Sequence, residues 1–173
     1  MTRRMLGVVL AAAMAGGCAD AEPTGTEPVI VPVFAHGPSN LRTHMSGAEE
    51  TPPRDTRAQG QAIFRLSKDG SELRYKVLVA NIQNVTQAHL HLGPVGTAGD
   101  IVLWLYPAAP PAQLIPGRSQ GVLSRGVATA ANLVGPLAGQ PLSALLEASQ
   151  AGNVYANVHT SQFPPGEIRG QLD

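Results

Sequence analysis

The sequence predicts an all-β fold, an antiparallel β-sandwich or small Greek-key barrel with one short inserted helix. Three observations carry this reading. Polar and apolar residues alternate through most of the chain beyond residue 60, the period that sends successive side chains to opposite faces of a strand. Asp69-Gly70 stands between two such runs, the strongest short hairpin signal. Nineteen glycines and fifteen prolines in 173 residues suit many tight turns between short strands.

The first residues read as an address. Met1-Thr2-Arg3-Arg4 is a basic start, Met5 to Ala15 is a short apolar core, and Gly16-Gly17 precede Cys18. Residues 1–17 are therefore expected to be a secretory signal, too short to span a bilayer as a helix. The ending resembles a bacterial lipobox, with Ala15 where leucine is usual, which implies that Cys18 is lipidated and becomes the mature N-terminus. The twin-arginine motif is not completed around Arg3-Arg4, so the general secretory route is expected. Cys18 is the only cysteine, so the exported chain has no internal disulfide. Cutting before it leaves 156 residues, one domain's worth. Ten basic residues then face twelve acidic ones, a formal net of −2. That balance argues against nucleic acid and against electrostatic adhesion to anionic lipid. The expected membrane contact is the lipid itself. Ala19, rather than aspartate, favours outer-membrane sorting where such rules apply.

Residues 18–40 are expected to be a linker. Pro23, Pro28, Pro32 and Pro38 recur among Gly and Thr with no helical period, which favours a stiff, extended tether. Val29-Ile30-Val31 and Val33-Phe34 are apolar enough to pack as an edge strand instead. Beyond residue 40, Gln61 to Leu66 alternates with Ala62, Phe64 and Leu66 on the core face. The hairpin returns through Leu73 to Val79, inward at Leu73, Tyr75, Val77 and Val79. Gln87 to Leu92 puts Ala88, Leu90 and Leu92 inward and Gln87, His89 and His91 outward. After a Gly93–Asp100 loop, Ile101 to Tyr106 is nearly continuous apolar and suits a central strand. Pro107 to Gly117 is a proline-rich excursion, and Gly121 to Ala128 is a further strand. Pro141 suits the first helical position, Leu142, Leu145, Leu146 and Ser149 fall at helical spacing, and Gly152 suits the C-terminal cap. Val154 to His159 places Val154, Ala156 and Val158 inward and Tyr155, Asn157 and His159 outward. Glu167 to Leu172 closes the chain with Ile168 and Leu172 inward.

Four motifs occur in order: Met45 to Pro53 (MSGAEETPP), Ala88 to Gly93 (AHLHLG), Ala151 to Thr160 (AGNVYANVHT) and Pro165 to Leu172 (PGEIRGQL). This set resembles the chordin-type (CHRD) domain, which also occurs singly in bacterial secreted proteins and lipoproteins. The resemblance covers roughly residues 41–173 and implies an extracellular all-β module. It implies no reaction. Growth-factor antagonism in chordin rests on its cysteine-rich modules and does not transfer.

His89-x-His91 and His159 are the candidate functional residues. Residues i and i+2 on a strand lie about 6.6 Å apart, so both imidazoles can reach one ion. A third histidine from a neighbouring strand completes a three-nitrogen site for copper or zinc with an open position. The arrangement is similar to the copper half of Cu,Zn superoxide dismutases, where a strand H-x-H begins the site. Here the loop after His91 offers one carboxylate, Asp100, and no histidine, and the stabilising cysteine pair is absent. Such a site should release its ion as the histidines protonate around pH 5–6. The alternative is structural, with His89 and His91 hydrogen-bonded to loop backbone and Asn157. Glu167 and Arg169 are expected to form a surface ion pair with each other or with Glu49, or to meet a ligand. No Gly-x-Ser-x-Gly elbow and no phosphate-binding glycine loop appears. Two functions remain: a non-catalytic envelope module contacting a protein or glycan, and a copper or zinc protein with redox chemistry of the superoxide dismutase type as its catalytic form.

Overall fold

A computed structural model describes residues 40–173. The expected signal peptide, Cys18 and the tether up to residue 39 lie outside the described residues. Seven strands and one α-helix run in the order β1 (Asn40–Ser46), β2 (Gln59–Leu66), β3 (Leu73–Leu92), β4 (Asp100–Tyr106), β5 (Ile115–Ala128), α1 (Leu142–Gln150), β6 (Val154–Thr160) and β7 (Ile168–Gln171). All pairings are antiparallel. The sheet follows β2-β1-β7-β6-β3-β4, and β2 also pairs β3, so the ring β2-β1-β7-β6-β3 closes on itself. Of the two expected architectures, the chain forms the small barrel. Asn40, the last residue of the predicted tether, is already the first residue of β1, a strand that the sequence reading left unassigned.

Closure depends on β3. The sequence reading treats 73–79 and 87–92 as separate runs, whereas they are halves of one 20-residue strand. The first half pairs β2 and β5, and the second pairs β6 and β4. Between them Asn81 and Asn84 adopt left-handed backbone (φ 56° and 53°), and the register with β5 shifts there. Asparagine tolerates that conformation better than other non-glycine residues, and bulges of this kind bend a strand. One strand thus serves two sides of the barrel.

The barrel interior is filled by the predicted inward residues. Phe64, Val77, Ala88, Leu90, Val158 and Ile168 are fully buried, as are Leu145 of the helix and Met45, which the sequence reading did not place. Helix α1 buries Leu142, Leu145, Leu146 and Ser149, the predicted stripe. Pro141 is its N-cap, one residue before the expected position, within the usual spread of helix boundaries. Gly152 (φ 72°) and Asn153 donate to Ser149 and Ala148 carbonyls, a Schellman ending that only a residue at ease in left-handed backbone closes cheaply.

Strand β4 is not central. It lies at the end of the sheet path, and its only neighbour among the named strands is β3. Its apolar run is nevertheless buried at Val102, Leu103 and Leu105, and the segment after β5 pairs along its free edge. Leu133 bridges to Leu103, and Val134 N–H donates to Val102 O at 3.0 Å. Cover on both faces, rather than a central position, accounts for the continuous apolar pattern.

Candidate metal centre

The polar residues on the outer wall of the barrel are not exposed. His89, His91, Tyr155, Asn157, His159 and Arg169 are each 7% exposed or less, so the expectation that they face outward holds for the barrel but not for solvent. Loops cover them. Residues 93–99 are tied down by Arg169 Nη2 to Pro94 O (3.0 Å) and Gln171 Nε2 to Gly93 O (3.0 Å). On the other side Arg54 Nε donates to Gly166 O (3.3 Å) and Thr56 Oγ1 to Glu167 Oε1 (2.7 Å). A second, polar core lies between wall and loops.

The register brings the histidines together. His89 pairs with Asn157 and Gln87 with His159 across β3 and β6, so His89 and His159 are diagonal neighbours on one face. His91 is two residues beyond His89 on that face. One ring nitrogen from each histidine lies within 4.8 Å of the others. His89 Nδ1 and His159 Nε2 approach to 3.2 Å. Metal–nitrogen bonds of about 2.0–2.1 Å need only small rotamer adjustments from such a cluster.

The remaining ring nitrogens decide its character. His91 Nδ1–H donates to Gly99 O and His159 Nδ1–H to Pro164 O, both at 2.8 Å. These bonds fix both tautomers: the His91 Nε2 lone pair is free, and the His159 Nε2 lone pair accepts from His89 Nδ1–H, a bond that an entering ion would replace. The structural alternative is met only in part. His91 does bind loop backbone, but the Nε2 atoms of His89 and His91 are buried without a hydrogen-bond partner. Buried polar atoms left unpaired are costly, and a cation would satisfy an imidazole lone pair.

Aromatic rings fix the imidazoles. Tyr155 stacks on His91 (4.9 Å between centroids, 6° between planes), and Trp104 meets His89 edge-on at 4.3 Å. Gly99 N–H donates to Tyr155 Oη (3.0 Å), so Gly99 links the tyrosine to the histidine stacked on it. The Arg169 guanidinium lies 3.4 Å from the Tyr155 ring centroid. The predicted surface ion pair does not form. Glu167 instead accepts from the Thr56 and Thr160 hydroxyls, Arg169 serves the 93–99 loop, and Glu49 is exposed elsewhere. The loops bury both side chains and offer them neutral partners first.

Burial sets the electrostatics. It pushes the His89 pKa down to about 3, helped by His159 and His91, and that of His159 to about 4. His91 is lowered as well, chiefly by burial. The imidazoles are therefore neutral across the physiological range, the state that ligates. Proton competition moves below the pH 5–6 expected from unperturbed histidines. Glu50 is the residue that sequence reasoning missed as a site component. It sits in the MSGAEETPP motif, is 6% exposed, and burial raises its pKa. Trp104 escaped notice because it lies inside an apolar run.

No helix among the described residues is long and apolar enough to cross a membrane. Comparison with curated proteins gave no match, and comparison with solved structures gave none either. The profile of the CHRD domain matches residues 41–172, which takes in every strand but the first residue of β1, together with the whole histidine cluster. The chain belongs to the CHRD domain family.

Proposed function

We propose that this protein is an exported, lipid-anchored CHRD module of the cell envelope that binds a copper or zinc ion through His89, His91 and His159. The observation that carries the metal reading is three buried, neutral imidazoles converging from two strands, two of them oriented by backbone carbonyls. Three nitrogen donors suit copper and zinc better than calcium or magnesium, which take oxygen. Export rests on the basic and apolar start of the sequence and agrees with the typically extracellular setting of the family, and anchoring rests on Cys18 alone.

Three protein ligands leave a position open to a small molecule. The module is read as a binder first, and superoxide dismutase activity of the copper-loaded protein is what would make it an enzyme. The test is metal analysis and titration of protein purified without an affinity tag. Trp104 is the only tryptophan and touches His89, so its fluorescence should be quenched as Cu(II) fills the site. One equivalent of ion is expected, lost in His159→Ala with the fold retained. Tag-free protein that takes up neither Cu(II) nor Zn(II) at neutral pH would refute the metal reading. The envelope module would then have a protein or glycan as its ligand.

A further inference from the structure

Two unpaired polar atoms accompany the histidines in the polar core. Glu50 Oε1 and Asn157 Oδ1 are buried without a hydrogen-bond partner, as are the Nε2 atoms of His89 and His91. Glu50 and Asn157 are 6% and 3% exposed. They meet beside Gly166, where an added Cβ would lie 3.0 Å from Asn157 Nδ2 and closer still to Glu50 Oε1. The Asn157 side chain is near enough to bias the charge of both Glu50 and His91, although it forms a well-aligned hydrogen bond with neither. Register places Asn157 opposite His89 on one side and opposite Arg169 on the other. The amide therefore stands between the carboxylate and the histidine cluster.

Charge gives the carboxylate a purpose. The groups that act on Glu50 are Arg169, Arg54, the Thr51 N–H and Asn157. Glu167 is held by Thr56 and Thr160. The exposed Asp100 carboxylate also acts on His91, so two arginines face three carboxylates before any ion enters. Three neutral imidazoles add no negative charge, so a divalent ion brings uncompensated charge into a buried site, where unpaired charge is expensive. A site this poor in anions cannot lose a carboxylate without cost to the ion. The Glu50 carboxylate also has weak partners among the described residues, its one hydrogen bond there being a 3.4 Å contact from Thr51 N–H to Oε2.

We propose that Glu50 is the counter-charge of the metal site, set beside the histidines by the Asn157 amide that stands between them. It is a positioning residue and not a ligand. This assignment rests on the metal reading above. Removing an outer-shell partner typically lowers metal affinity by about 10–100-fold. Glu50→Gln should therefore weaken Cu(II) and Zn(II) binding at least about tenfold. Because the change removes a carboxylate that burial disfavours, the metal-free protein should melt no lower than wild type. A purely structural residue would give the opposite pattern, a lower melting temperature with affinity intact.

The experiment is Cu(II) titration by Trp104 quenching and Zn(II) titration by calorimetry on wild type, Glu50→Gln, Asn157→Ala and the double variant, with metal-free melting curves for each. Asn157→Ala alone should also weaken binding, which keeps the test open if Glu50→Gln fails to fold. The double variant should bind no more weakly than the worse single variant, because both changes cut the same link. Wild-type and Glu50→Gln affinities within twofold of each other would overturn the Glu50 assignment alone, as would unchanged affinity in Asn157→Ala. Absence of binding by the wild type would overturn the metal site and this assignment together.

Discussion

Gly99 shows how much of the site hangs on one residue. Its carbonyl fixes His91, its N–H fixes Tyr155, and a Cβ there would collide with the Leu92 carbonyl oxygen. Gly99→Ala should cost about 1–3 kcal/mol, the range for overpacking a tight site. It should also reduce metal affinity by shifting the His91 acceptor, and urea unfolding with a parallel Cu(II) titration would check both effects. The histidines set a pH dependence of their own. His89 and His159 take up protons near pH 3 and 4 when folded, against 6.5 as the ordinary value. Between those limits the unfolded chain binds more protons, so stability must fall as pH drops from about 6.5 toward 3 and flatten below. Glu50, shifted up, works in the opposite direction and blunts the fall only near the carboxylate range. Metal-free melting temperatures from pH 7.5 to 4 should show this decline, and His89→Ala should flatten it. A flat wild-type profile would mean that the histidines are not buried neutral.

At the scale of elements, β3 and α1 carry the fold by different means. Asn84 combines left-handed backbone with a hydrogen bond from Gly117 N–H to its Oδ1 (2.8 Å), holding β5 to the bend. Asn84→Ala should cost about 1–2 kcal/mol for the backbone alone, while Asn84→Gly should cost less. Denaturation midpoints of the pair would separate backbone strain from the lost hydrogen bond. In α1, Leu145 is fully buried, and Leu145→Ala should destabilise by about 2–5 kcal/mol through lost contact and the cavity left behind. Metal affinity should hold in that variant, because Leu145 belongs to the apolar core and not to the polar one. The helix was readable from its leucine spacing and its Gly152 ending. Strand β1 was not, because its burial alternates through Leu41, Thr43 and Met45, where a buried threonine breaks the apolar count.

For the whole molecule, the strand pairings among the described residues, from Asn40 on, close the barrel. A chain beginning at Asn40 should therefore fold and bind metal as the longer one does, by circular dichroism and Cu(II) titration. Cys18→Ser in the full chain should release the protein from the membrane fraction or mislocalise it, as fractionation of cells would show. Retention of the serine variant after processing would refute the anchor. Metal should raise the melting temperature of the wild type and leave that of His159→Ala unmoved, since an ion that binds only the folded state stabilises it by mass action.

The sequence by itself determined the all-β class, the inward faces of β2, β3 and β6, the helix, and the three histidines as candidates. These follow from local periodicity and turn chemistry, which short stretches of chain contain in full. Tertiary structure alone decided that 73–92 is one bent strand, that β4 ends the sheet path with the segment after β5 along its free edge, and that the polar wall is roofed by loops. Those facts depend on which distant segments meet. An alternating strand gives one polar face and one apolar face whether the polar face meets water or a loop, so the burial of His89, Asn157 and Arg169 could not be read from it. Glu50 reaches that polar core from a residue more than a hundred positions away from Asn157, and only the closed barrel with its covering loops brings them together.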